Sequence, residues 1–387
     1  MQYRNFGKLE LKVSALGFGA MRLPTKKIQG AGNRLDSNID EAEAIKMIRY
    51  AIDNGVNYVD TAYGYHGGTS EILTGKALQD GYRNKTMLAT KSPVWLIKKP
   101  EDFDRLLDEQ LGKLQTEYVD FYLLHAIGRN SWRNTVLKHD VLQRAEAAKK
   151  AGKIKYLGFS FHDGIDAFKE IVDGYDKWDF CQIQYNYMDI ENQAGLEGLK
   201  YAASKGLGVV IMEPLLGGRL ANPPKDIKAI FDESGTGRSA ADWGLEWLWN
   251  QPEVSVVLSG MSAMEQVEGN IASADRSGVG KFSLNELDVI ERVRKRYNER
   301  SAIPCTGCYY CMPCPNKVEI PRNFSIYNDG MIHDDIDGAK VVYNNFFDAA
   351  NRADQCVKCR ICEEKCPQKI PISSWLQKVN ETLTKKV

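Results

Sequence analysis

Residues 118–125 read YVDFYLLH. This short run, mostly apolar and aromatic, stops abruptly at a histidine. It is too short for an ordinary globular helix and rich in strand-favouring residues, so it predicts a buried β-strand. Seven more such runs flank it: SALGFGAM (14–21), NYVD (57–60), TMLATK (86–91), IKYLGFS (154–160), FCQIQYN (180–186), LGVVIME (207–213) and VSVVLSG (254–260). Between them lie patterns such as DEAEAIKMIRYAIDNG (40–55) and DVLQRAEAAKKAG (140–152). These place apolar residues three and four apart and end at glycine, as amphipathic helices do. Strands alternating with helices imply parallel pairing through helical crossovers. A closed (β/α)8 TIM barrel of about 250 residues fits the count and the length. An open doubly wound sheet fits less well, because no GxGxxG follows the first run. Residues 1–13 predict a hairpin closing the barrel floor, and LNELDVIERVRKRY (284–297) a last amphipathic helix. The expected division is a barrel over 1–298 and a smaller, mainly helical domain over 299–387.

Nearly every run ends in a polar residue: Asp60, Lys91, His125, Ser160, Asn186, Glu213 and Ser259. In a parallel barrel those ends meet at the C-terminal rim, where barrel active sites are built. For Ser160, Asn186 and Ser259, a plainer reading competes on equal terms: a strand stops where polarity begins. An acid, a base and an imidazole on three successive strands are harder to dismiss. Tyr65 follows Asp60 in VDTAYGY (59–65). A tyrosine can protonate a carbonyl oxygen, but its unperturbed pKa is about 10. A neighbouring ammonium favours the phenolate and is expected to lower that value. An acid keeps the ammonium charged when buried, and an imidazole stabilises charge developing on the carbonyl oxygen. Asp60, Tyr65, Lys91 and His125 thus suit hydride addition to C=O. Trp95 is a candidate pocket wall. His66 and His162 either touch substrate or are merely solvated. Cys181 reads as a small buried hydrophobe, and His139 and His333 as surface residues.

Lys and Arg number 51, as do Asp and Glu. That balance offers no footing for nucleic acid or an acidic membrane surface. The N-terminal residues lack an apolar signal core, and no run of 18 apolar residues occurs. A cytoplasmic protein with reduced thiols is expected. Eight of nine cysteines lie beyond residue 300. Cys305, Cys308, Cys311 and Cys314 form C-x2-C-x2-C-x2-C-P, and Cys356, Cys359, Cys362 and Cys366 form C-x2-C-x2-C-x3-C-P. The second spacing is that of bacterial ferredoxins, which hold [4Fe–4S] clusters. Zinc prefers two CxxC pairs separated by a longer gap. Iron–sulfur clusters are therefore expected, two by the cysteine count, with a single cluster left open by the short last gap of the first run. IPRNFSIYNDGMI and AKVVYNNFFDAANRA, between the two runs, predict helices.

Over roughly residues 1–295 the chain resembles the aldo-keto reductase family. The likeness rests on GFGAMRLP, VDTAYGYHGGTSE, ATKS, DFYLLH, GFSFHD, CQIQYN, IMEPLLGG and SGMSAMEQVEGNI, in family order and spacing. The tail resembles a helical two-cluster ferredoxin, and the whole chain resembles the branch of the family that carries such a domain. The resemblance implies a carbonyl reductase or alcohol dehydrogenase using NADP or NAD. It casts Tyr65 as proton donor, Lys91 and Asp60 as its tuning pair, and His125 as carbonyl orienter. It assigns the nicotinamide amide to Ser160 and Gln182, and further nucleotide contacts to Met212, Gly217, Ser259, Gly260, Gln266 and Asn270. The chain departs from the common pattern at several positions. Phe161 stands where many members have asparagine, and Met212 where many stack an aromatic ring. Gly260 and Gln266 stand where lysine and arginine commonly meet a 2′-phosphate, which leaves NADH and NADPH both open. Backbone amides at Gly217, Gly218 and Gly260 can cradle a diphosphate or serve only as turns. A small carbonyl or alcohol is the expected substrate, with a redox protein as a further partner. Two other readings stay open. In one the clusters are structural; in the other the barrel only binds a ligand and the protein is an electron-transfer module.

Overall fold

The computed structural model describes residues 1–26 and 38–384. The chain forms two compact units: residues 1–221 with 238–283, and residues 222–237 with 284–387. Among the described residues no helix is long and apolar enough to cross a membrane.

In the first unit, β1 (Tyr3–Phe6) and β2 (Leu9–Ser14) make an antiparallel hairpin. The following strands are β3 (Leu16–Gly19), β4 (Tyr58–Asp60), β5 (Met87–Ser92), β6 (Val119–Ile127), β7 (Ile154–Phe161), β8 (Phe180–Gln184), β9 (Gly208–Met212) and β10 (Val256–Gly260). They pair in the order β10-β3-β4-β5-β6-β7-β8-β9 and close into a barrel. Every pair is parallel, and each strand falls within one of the eight apolar runs or overlaps it. Alternation along the strands sorts the apolar residues into two layers. Val59, Leu88, Tyr122, Phe159, Cys181 and Val209 belong to the layer under the helices. Tyr58, Ala89, Phe121, Leu123, Phe180 and Val210 fill the interior with Phe6 and Val13 of the hairpin.

The hairpin plugs the floor. The Phe6 ring lies 4.8 Å from that of Phe121 and 5.6 Å from that of Phe180. Arg4 ties it down by donating to the carbonyls of Val254, Trp249 and Gln251. Burial pushes the Arg4 guanidinium down to about 10, against the opposing pull of Glu253, so it remains charged at neutral pH. The hairpin turns at Gly7 with φ 56°, and a Cβ there would lie 2.4 Å from the Gly206 carbonyl oxygen.

The second unit is helical. Ile320–Ile332 forms the first predicted helix in full. The second stops early, as Ile336–Asn345, followed by a short turn of 3-10 helix at Ala349–Asn351. Arg352 explains the stop: its guanidinium takes the carbonyls of Asn344 and Phe347, satisfying acceptors that a continuing helix would have used. Helices Ile361–Lys365 and Ile372–Leu383 complete the tail. Ile303, Val318, Phe324, Tyr327, Tyr343 and Leu376 belong to its core. The expected division at 298/299 falls at the end of helix Leu284–Glu299, whereas the compact units part at Leu284. Arg292 pairs with Glu233, and Arg296 and Arg300 pair with Asp226, which draws residues 222–237 into the same unit. His333, expected at the surface, is 7% exposed in its side chain and lies against the Tyr297 ring at 5.3 Å.

Candidate functional site

Strand parity places the site. Inward positions advance by two along each strand, so Tyr58 leads to Asp60, Ala89 to Lys91 and Leu123 to His125. Likewise Tyr156 leads to Ser160, Phe180 to Gln182 and Val210 to Met212. These six expected site residues share one inner ring near the C-terminal rim. On β10 the inward position is Gly260, and Ser259 points outward. Its Oγ accepts from Asn270 Nδ2 at 2.9 Å, so two expected nucleotide contacts are bonded to each other and join β10 to helix Met264–Arg276.

Tyr65 reaches the ring from the turn after β4. Lys91 Nζ donates to Asp60 Oδ1 at 2.6 Å, to the Thr61 carbonyl at 2.9 Å and to Tyr65 Oη at 3.3 Å. An ammonium carries three protons, so these partners saturate it. Because Lys91 donates to Tyr65 Oη, the phenol proton is directed elsewhere. The His125 ring stands edge-on to Tyr65 with centroids 6.2 Å apart, and Trp95 lies against His125 at 5.1 Å. Trp95 is 47% exposed, as a pocket wall requires. His66 is buried rather than solvated, and its Nε2 accepts from the Leu23 amide at 3.2 Å, joining two rim loops. His162 is exposed at the rim.

Burial pushes Lys91 down, but Asp60 and Tyr65 outweigh it and raise its pKa. Tyr65 departs from the expected lowering. Burial pushes the phenol up, helped by Asp60 and Glu213, and the pull of Lys91 does not overcome it. The phenol is thereby held protonated, the state that a donor needs. Burial, then Lys91 and His162, pushes His125 from 6.5 to about 3. Its imidazole is neutral at physiological pH and can donate one hydrogen bond without charge. A base with a depressed pKa contributes its full stability above pH 6.5 and loses it as the pH falls toward 3. A 15N-imidazole NMR titration should find His125 neutral down to about pH 4. A midpoint near 6 would contradict this environment.

The nucleotide positions divide in the same way. Ser160 Oγ accepts from the Ala126 amide at 2.7 Å. Gln182 Nε2 donates to Met212 Sδ at 3.5 Å, and its buried Oε1 has no hydrogen-bond partner among the described residues. Gln266 Oε1 accepts from the Ser262 amide at 2.8 Å and braces its own loop. Gly217 sits at φ 67°. Arg22, which sequence reading passed over inside GFGAMRLP, lies across this region. A Cβ on Gly260 would come within 3.2 Å of the Arg22 stem, and one on Gly217 within 2.9 Å of its guanidinium. Nothing in the local pattern shows that this cation covers two distant glycines.

In the second unit the thiols form two groups that cross between the motifs. Cys305, Cys308, Cys311 and Cys366 line one cavity with Ile320, Phe324 and Ile372. Cys362 lies within electrostatic reach of Cys356 and Cys314. The last cysteine of the second run thus sits with the first three of the first, and the last of the first run lies near two cysteines of the second, in the manner of the exchange seen in two-cluster ferredoxins.

Barrel, rim and cysteine runs together define an oxidoreductase barrel joined to an iron–sulfur domain. The aldo/keto reductase family profile matches residues 15–290, and a 4Fe-4S dicluster domain profile matches residues 304–371. The chain belongs to the aldo/keto reductase family and carries a C-terminal 4Fe-4S dicluster domain. It is 29% identical over 314 residues to an L-galactose dehydrogenase of Arabidopsis thaliana, covering 75% of this chain and 94% of the relative. It is 25% identical over 317 residues to an NADH-specific methylglyoxal reductase of Escherichia coli, covering 69% of this chain and 91% of the relative. Its fold is similar to aldo-keto reductase AKR11C1 from Bacillus halodurans, with TM-score 0.61, 24% identity, and 76% and 96% of the two chains covered.

Proposed function

We propose that the barrel transfers hydride between a nicotinamide nucleotide and a small carbonyl or alcohol. The observation that carries this reading is the buried Lys91 ammonium, bonded at once to Asp60 and to Tyr65. A bound nicotinamide would supply or take the hydride. The chain's part is protonic and electrostatic. Tyr65 gives its Oη proton to the substrate oxygen as negative charge develops there. Lys91 stabilises the phenolate left behind, and Asp60 keeps Lys91 charged. Neutral His125 donates to the same oxygen and orients it. Trp95 shields the reacting groups from water. In alcohol oxidation the same residues act in reverse.

Gln182 supports the nicotinamide assignment, because its buried, unpartnered Oε1 can accept from a carboxamide N–H. The relatives' names, an L-galactose dehydrogenase and a methylglyoxal reductase, support a carbonyl or alcohol substrate. Gln182→Ala should raise the nucleotide Kd roughly tenfold, the worth of one buried hydrogen bond. The deciding experiment is steady-state turnover of methylglyoxal and 4-nitrobenzaldehyde with NADH and NADPH, alongside fluorescence titration of both nucleotides. Turnover with either nucleotide is expected. Absence of both binding and turnover would reject the reading.

We propose further that Cys305, Cys308, Cys311 and Cys366 hold one [4Fe–4S] cluster, and Cys314, Cys356, Cys359 and Cys362 a second. Such clusters would supply one-electron transfer. The crossed grouping of the thiols supports two sites over one. Nine cysteines free of disulfides suit a reducing compartment such as the cytoplasm.

A further inference from the structure

Behind the tetrad lies a buried polar network that the mechanism does not use. Glu71, on helix Ser70–Ala77, is fully buried, as are Thr90, Gln110 and Tyr122. Glu71 Oε1 accepts from Gln110 Nε2 at 2.6 Å and from Thr90 Oγ1 at 2.7 Å. Gln110, on helix Glu101–Leu114, also donates from Nε2 to the Lys91 carbonyl at 3.0 Å. Tyr122 Oη donates to Gln110 Oε1 at 2.8 Å, while the Lys91 carbonyl and the Glu71 carboxylate can only accept and so take the Nε2 end of the amide. The Glu71 Oε2 atom has no hydrogen-bond partner among the described residues, and the nearest ammonium, Lys113 Nζ, is 3.9 Å away.

Such a carboxylate is costly glue. An apolar side chain would join helix to strand without the desolvation penalty. What apolar packing cannot do is orient an amide. Thr90 and Lys91 are successive residues of β5, so their side chains point to opposite faces. The network grips β5 from the helix side at the residue whose side chain enters the barrel. Inside, the Lys91–Tyr65 contact is the longest of the three that Lys91 makes, and so the first to fail if the strand end shifts.

We propose that Glu71 is a positioning residue for the tetrad: acting through the Gln110 amide, it fixes the end of β5 so that Lys91 Nζ reaches Tyr65 Oη. The charged and titratable groups facing Tyr65 are Lys91, Asp60 and Glu213, with the His125 ring beside it. Those facing Glu71 are Lys113 and Glu109, and burial raises its own pKa. For its activity arm the inference rests on the carbonyl-reductase reading; its titration arm does not.

The test compares Glu71→Leu, Glu71→Gln and Tyr122→Phe in the full-length chain. Methylglyoxal turnover is one readout. The other is 13Cζ-tyrosine NMR of Tyr65, assigned by its loss in Tyr65→Phe. Glu71→Leu should lower kcat roughly 10- to 100-fold with little change in nucleotide Kd. It should also raise the Tyr65 midpoint by about one unit, as Lys91 withdraws. Glu71→Gln keeps the accepting oxygen and should stay within about threefold of the parent in kcat. Should Glu71→Leu not fold, Tyr122→Phe decides, with an expected loss of about threefold and the same direction of shift. An unchanged Tyr65 titration in the folded variants overturns the proposal, whatever happens to kcat. If the parent enzyme reduces no carbonyl, the proposed function fails while the titration still judges Glu71.

Discussion

A Tyr65→Phe variant should bind its nucleotide normally yet reduce carbonyls roughly 10²- to 10⁴-fold more slowly, the span that general-acid catalysis commonly contributes. That corresponds to about 3 to 5 kcal/mol of barrier. The substitution removes one oxygen and leaves Lys91 bonded to Asp60 and the Thr61 carbonyl, so the buried ion pair survives. Lys91→Met would be a poorer test, because it would strand Asp60 without its cation and risk the fold. The pH dependence follows from the environment of Tyr65, whose pKa burial raises above its ordinary value. The protonated donor persists through neutral and mildly alkaline pH. Carbonyl reduction should hold over that range and fall only beyond it. Alcohol oxidation, which needs the phenolate, should rise with pH. A Tyr65→Phe enzyme within tenfold of the parent would place the proton donor elsewhere.

The second large effect concerns the cysteines. Cys314→Ala should abolish the same reduced-state EPR signal as Cys359→Ala, although Cys314 belongs to the first run. Cys366→Ala should instead match Cys308→Ala. Each variant should lose about half of the iron and sulfide, one of two cubanes. The expectation rests on Cys366 sharing a cavity with Cys305, Cys308 and Cys311, and on Cys362 lying within electrostatic reach of Cys314 as well as Cys356. Signals that sort by run, with Cys314 behaving like Cys308, would show that each run serves its own cluster. The distinction matters for stability too. Crossed ligation staples the chain near Cys305 to the chain near Cys366, closing a long loop, whereas run-wise ligation closes only short ones.

The barrel was legible because its period is local. Runs such as TMLATK and YVDFYLLH announce short buried strands, and their polar ends announce a rim. Parity then carries Asp60, Lys91 and His125 to the same side of the wall, so these three could be named before any fold was known. Ser259 shows the limit of that reading. It lies next to the end of its run, one residue out of phase with Leu258, and is bonded to Asn270. His66 misled because loop histidines are usually solvated, and only the packing of two rim loops buries this one against Leu23. Arg22 and Glu71 were passed over because each acts on residues far along the chain: Gly217 and Gly260 for Arg22, Gln110 for Glu71.

Local periodicity and cysteine spacing suffice for the class of fold, the inner ring and the metal-binding character of the tail, since those signals lie within ten or so neighbouring residues. The protonation of Tyr65 and His125, the crossing of the two cysteine runs, and the network behind Lys91 do not lie there. They depend on which distant groups are brought within a few ångströms and how far water is excluded from them. Electrostatic work and ligand grouping vary with that distance and burial, and only the closed tertiary structure sets either.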